Sequence, residues 1–139
     1  LEFRRVLFRS EHTIRAFLEA ESYPGPSLIL AYSHCIAHGI DMAQGMEHQK
    51  AAVASGRWML YRFDPRRTAR GETPLQLDHR APPHSLAEAM ERENRFRMLA
   101  FHQPDRARAL VRAAEADRDR RLALYRALAE ATPPSSPAP

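Results

Sequence analysis

Residues 27–32, "SLILAY", form a continuous apolar run without alternation, directly after the chain-breaking "YPGP". A short run of this kind fits a strand buried on both faces, as in a parallel sheet covered by helices. Parallel strands cannot pair through a tight turn; each needs a crossover and a partner strand. The other strand-like stretch is Trp58 to Phe63 in "SGRWMLYRF", which reads as an edge. One buried strand and one edge strand do not make a sheet. The pattern therefore predicts one end of a larger α/β domain.

The remaining elements read as helices. Ile14, Phe17, Leu18 and Glu21 recur at helical spacing across residues 11–22, with Thr13 as a cap candidate near the start. Two prolines around a glycine then stop that helix. "SHCIAHG" is too short and mixed to be an element and reads as a loop. Met42, Met46, Gln49 and Val53 predict a second helix over 41–54, with Gly56 as its C-cap. "DPRRTARGETPLQLDHRAPP" reads as a polar connection over the surface. Ser85 and Glu88 have capping-box spacing and open a third helix to about Phe101, with Leu86, Met90 and Met98 on its apolar side. Pro104 begins a last helix, striped by Ala107, Leu110, Val111, Ala114, Leu122, Tyr125 and Leu128. Acidic residues interleave with the arginines from Arg106 to Arg126, the pattern of a solvated amphipathic face rather than a nucleic-acid arm.

Composition narrows the class. With 139 residues, 44% hydrophobic and 27% charged, the chain is about one soluble domain long. No run approaches the roughly 20 apolar residues of a membrane span, and no stretch has a signal peptide's layout. One cysteine and no secretory signal point to a reducing, cytoplasmic home. The formal net charge is +4, but Lys50 is the lone lysine among 21 basic residues. Half of that charge comes from Arg4, Arg5 and Arg9 against Glu2 in the first ten residues. A nucleic-acid footprint is not expected.

Both ends stand apart. "LEFRRVLFRS", residues 1–10, lacks an initiator methionine and resembles translated adapter or vector sequence. Taken as native, "RRVLF" would be an edge strand. Residues 132–139, "TPPSSPAP", are Pro/Ser-rich and predict a disordered tail.

Cys35 is the single thiol, placed between His34 and His38 just past the apolar run. Ligands of open α/β sheets bind at the carboxyl ends of strands, and Cys35 would lie at such an end. Three readings follow from the residues. It is a small buried hydrophobe; or a zinc ligand through the Cys35–His38 spacing; or a nucleophile with His34 or His38 as base. Zinc needs four ligands, commonly two spaced pairs, and His48, His79, His84 and His102 are scattered without a second pair. A free-standing zinc-binding or interaction domain is thus the alternative to a part of a larger enzyme.

Across residues 11–130 the blocks "HTIRAFLEAESYPGPSLILAYSHCIAHGIDM", "SGRWMLYRFDPRR", "PLQLDHRAPP" and "ENRFRMLA" occur in order. Together they closely resemble the C-terminal end of the pyruvate:ferredoxin (flavodoxin) oxidoreductase family. The most specific pieces are residues 19–40, with Glu21 the variable position, and "GRWMLYRFDP". The resemblance implies a far longer enzyme that converts pyruvate to acetyl-CoA and CO2. Thiamine diphosphate with Mg2+ would carry the carbanion chemistry. Electrons would pass through 4Fe–4S clusters to ferredoxin or flavodoxin, in a protein that is commonly a homodimer.

On that resemblance, residues 11–68 are the end of the thiamine diphosphate-binding α/β domain, and 69–131 a linker and helical C-terminal extension. Cys35 is then both cofactor-binding and metal-ligating, the distant fourth thiolate of the cluster nearest thiamine diphosphate. His34 and His38 fall around it rather than on the metal. The family's Gly-Asp-Gly thiamine motif and C-x-x-C pairs do not occur in this sequence. No catalytic residue, and none contacting thiamine, Mg2+, coenzyme A or pyruvate, is assigned here. Alone, the chain is expected to be inert.

Overall fold

The computed structural model describes residues 2–79 and 84–131, with side chains from His12 onward. The chain divides between Tyr32 and Ser33 into two compact units. The Pro/Ser-rich end lies outside the described residues.

The first unit is built on α1, Glu2–Glu21. Its backbone takes in the opening residues, so helix replaces the edge strand considered for "RRVLF". The helix stops just before Pro24, whose ring and missing N–H bar continuation. Ser22 and Ser27 satisfy the last carbonyls, their hydroxyls donating to Glu19 and Ala20, each at 2.8 Å. Ile14, Phe17 and Leu18 form the expected stripe, and all three are exposed.

Residues 27–32 differ from the strand expected of them. They follow no regular secondary structure, and Leu28 and Leu30 are 83% and 62% exposed. The reason lies in what a parallel strand requires. Its backbone groups need neighbours on both edges and its side chains need cover on both faces. Among the described residues the only sheet is a two-stranded one made of other segments.

The second unit begins with the 3-10 turn Ile36–His38 and a further turn at Met42–Gln44. Asp41 caps the latter, accepting from the Ala43 N–H at 3.0 Å. Helix α2, Gly45–Ala54, follows and ends as expected. Gly56 adopts φ +75° just beyond it, and its N–H donates to Val53 at 3.1 Å.

Strand β1 is Tyr61–Phe63, shorter than the strand expected from Trp58. It pairs antiparallel with β2, Leu75–Leu77, in the register Tyr61–Leu77, Arg62–Gln76 and Phe63–Leu75. The polar stretch read as a plain surface connection therefore contains a 3-10 helix, Pro65–Arg70, and the returning strand of a hairpin. Arg62 clamps the hairpin with two hydrogen bonds to Asp78, at 2.7 and 2.8 Å.

The expected third helix is two: α3, Leu86–Glu91, and α4, Asn94–His102. Ser85 does sit at the N-cap, but its side chain makes no capping bond. After Pro104 comes α5, Pro104–Glu130. Asp117 pairs with Arg120 and Arg121 along its outer face, as a solvated helix would. The inner face buries Ala107 and Leu122, whereas Leu110 and Leu128 of the expected stripe remain exposed. Ala52, Met59, Leu86 and Ala89 complete the small core, and the Tyr61 and Tyr125 rings lie 5.3 Å apart. No described helix is long and apolar enough to cross a membrane.

His79, 8% exposed, is buried with neither ring nitrogen hydrogen-bonded. Burial, reinforced by the charge of Arg126, lowers its pKa below the ordinary 6.5. His48 shifts the same way, through burial and then Arg92. A histidine depressed in the fold binds its proton more readily when unfolded. Its stabilising share is therefore complete above about pH 6.5 and lost as pH falls below it. Urea midpoints measured from pH 8 to 5 should fall in that acid window, and His79→Leu should flatten the fall. An unchanged slope in that variant would refute the assignment.

Candidate functional site

Cys35 opens the 3-10 turn that the sequence around it builds. Its backbone is extended, at φ −120° and ψ +130°, and its carbonyl accepts from the His38 N–H at 3.1 Å. Gly39 closes the turn at φ +69° and ψ +56°, with its N–H on the Ile36 carbonyl at 2.9 Å. Only glycine takes that left-handed conformation without strain. The thiol itself is exposed and in no disulfide. The reading of Cys35 as a buried hydrophobe does not hold.

The two flanking histidines turn to other elements. The His34 ring packs on the start of α2, so closely that a Cβ on Gly45 would sit 2.7 Å from its Cε1 and Nε2. Its Nδ1 is buried and unpartnered. The His38 Nδ1 lies 3.8 Å from an oxygen of Glu93. Among the described residues no three His, Cys, Asp or Glu side chains gather as a metal-ligand set.

Cys35 nonetheless suits a cluster shared with other parts of a protein. It presents a free thiol on a turn fixed by glycine, and iron–sulfur clusters take four thiolates. This chain, with its single cysteine, can give one of them.

The turn is fastened by a feature the sequence reading missed. Glu93, 5% exposed, stands in the break between α3 and α4. It accepts from Arg57, in the turn between α2 and β1, and from the Arg95 Nε at 2.7 Å. Both guanidinium groups lie over the Phe96 ring, 5.7 and 4.6 Å from its centre. Burial pushes the Glu93 carboxyl up, but hydrogen bonds and charge from Arg57 and Arg95 outweigh it. The net effect holds it below the ordinary carboxylate value.

Next to it, the Asn94 N–H donates to the Gly39 carbonyl at 2.9 Å. The sequence carried one usable signal. "ERENR" concentrates charge within a stretch expected to be an uninterrupted helix.

No family profile matches the chain. Individual proteins match strongly. The pyruvate-flavodoxin oxidoreductase of Trichormus variabilis is 53% identical over 121 residues, 87% of this chain and 10% of the relative. That of Nostoc sp. is 51% identical over the same shares. The pyruvate:ferredoxin oxidoreductase of Moorella thermoacetica is 42% identical over 117 residues, 84% of this chain and again 10% of the relative. The chain thus spans about a tenth of the length of these relatives. By sequence it is homologous to one segment of the pyruvate-flavodoxin oxidoreductases.

Proposed function

We propose that this chain is the C-terminal part of a 2-oxo-acid oxidoreductase that decarboxylates pyruvate oxidatively to acetyl-CoA and CO2. The observation that carries the reading is the match to enzymes of that name over 87% of the chain. Residues 11–68 end a thiamine diphosphate-binding α/β domain, and 69–131 are a linker and helical extension. The enzyme works in the cytoplasm as a homodimer, with ferredoxin or flavodoxin as acceptor and coenzyme A as acyl acceptor.

Within that enzyme Cys35 supplies one thiolate to a 4Fe–4S cluster. The cluster would carry single electrons between the oxidised substrate and the acceptor protein. This chain's own contribution is to hold the ligand. Gly39 sets the turn, and the α4 start anchors it. Thiamine diphosphate and Mg2+ are bound elsewhere, so the isolated chain does no chemistry. The exposed run at Leu28–Leu30 supports a missing remainder, since apolar segments of this kind are covered in a complete domain.

Cys35→Ala in the complete enzyme tests the ligand. The variant should lose one cluster by iron content and by electron paramagnetic resonance (EPR), and reduction of the acceptor should fall to background. A full complement of clusters with normal turnover would refute the role.

A further inference from the structure

We infer that Glu93 is a positioning residue for the Cys35 thiol, acting by breaking a helix so that one backbone N–H is free to hold the cysteine's turn. This rests on the reading of Cys35 as a ligand.

Were α3 and α4 continuous, as the spacing of Leu86, Met90 and Met98 suggests, the Asn94 N–H would donate to the carbonyl four residues back, that of Met90. Instead residue 93 is extended, at φ −103° and ψ +127°. The Met90 carbonyl takes the Glu93 N–H at 2.9 Å, and the Asn94 N–H reaches the Gly39 carbonyl at 2.9 Å. Helix continuity and attachment of the turn are therefore exclusive uses of one donor.

What holds residue 93 out of the helix is its carboxylate. Arg57, 36 residues away in sequence, and Arg95 bind it, and a buried carboxylate cannot leave such partners without cost. The His38 ring also approaches, its Nδ1 3.8 Å from a Glu93 oxygen and so beyond hydrogen-bond range.

The attachment is tight as well as polar. A Cβ on Gly39 would come within 2.6 Å of the Asn94 Cβ, so the two residues are in close contact. Cys35 lies four residues before Gly39 in the same turn, and its thiol is exposed and in no disulfide. Its placement is inherited from the turn. A ligand shared between distant segments must be held to about 0.5 Å, which is the demand this arrangement meets.

The test uses Glu93→Ala, the shape-preserving Glu93→Gln and, as reference, Cys35→Ala. In this chain, amide hydrogen exchange at Asn94 should quicken about tenfold in Glu93→Ala and about threefold in Glu93→Gln, with α5 amides unchanged. In the complete enzyme, Glu93→Ala should keep its iron yet shift the EPR spectrum of the cluster that Cys35→Ala removes, with Glu93→Gln intermediate.

Unchanged Asn94 exchange, or a Glu93→Ala spectrum identical to the parent's while Cys35→Ala loses the signal, would overturn the positioning role and leave the ligand standing. A full signal in Cys35→Ala would remove the ligand and this inference with it. Should Glu93→Ala fail to fold, Glu93→Gln decides, since it keeps an oxygen for Arg57; wild-type exchange there overturns the proposal.

Discussion

Replacing Arg57 and Arg95 together with alanine is expected to destabilise the second unit by about 3–5 kcal/mol at neutral pH, the usual loss when a buried charge is left without its partner. Glu93 would keep its burial but lose both guanidinium groups. Each single variant should cost less than half as much, because the remaining arginine still neutralises the carboxylate.

The pH dependence makes this prediction sharp. In the parent, Glu93 ionises more readily folded than unfolded. Its share of stability is therefore present above the ordinary carboxylate value and is lost as pH falls through its lowered one. In the double variant burial acts alone and raises the folded pKa above the unfolded one. Stability from this group should then increase as pH falls toward about 4.5. His79 is common to both proteins and cancels in the difference between their urea midpoints from pH 8 to 4, which then reports Glu93 together with His48, whose titration feels the Glu93 charge. A difference independent of pH would count against a buried, arginine-held carboxylate.

Gly39→Ala is the second large effect, expected to cost about 2–4 kcal/mol. An alanine at φ +69° carries left-handed strain of about 1–2 kcal/mol. Its Cβ would also meet the Asn94 Cβ at 2.6 Å, which forces α4 and the Cys35 turn apart. Gly71→Ala is the control. That glycine has the nearly identical φ of +71° but nothing within 4 Å of an added Cβ, so strain acts alone there. Denaturant midpoints should place Gly39→Ala well below Gly71→Ala. Equal losses would mean that the Gly39–Asn94 contact contributes nothing.

The sequence by itself determined what is settled within a few residues or by composition. Pro24 follows the end of α1, Gly56 ends α2 and Pro104 starts α5, because a proline ring or a positive φ acts locally whatever the surroundings. The lone cysteine limited this chain to one thiolate for any cluster, and the ordered blocks pointed to the pyruvate oxidoreductases, one segment of which the chain matches.

Only the tertiary structure decided the rest. "SLILAY" has the composition of a buried strand, yet a strand exists only beside another, and none of the described residues provides one. Leu75–Leu77 looked like polar linker because its partner, Tyr61–Phe63, lies across a turn stabilised by Asp64 and Gly71. Glu93 fell inside a stretch expected to be one continuous helix, and its partner Arg57 lies 36 positions away in sequence. Local backbone preferences can be read from neighbours, but the pairing of strands and buried charges is set by residues the fold alone brings together.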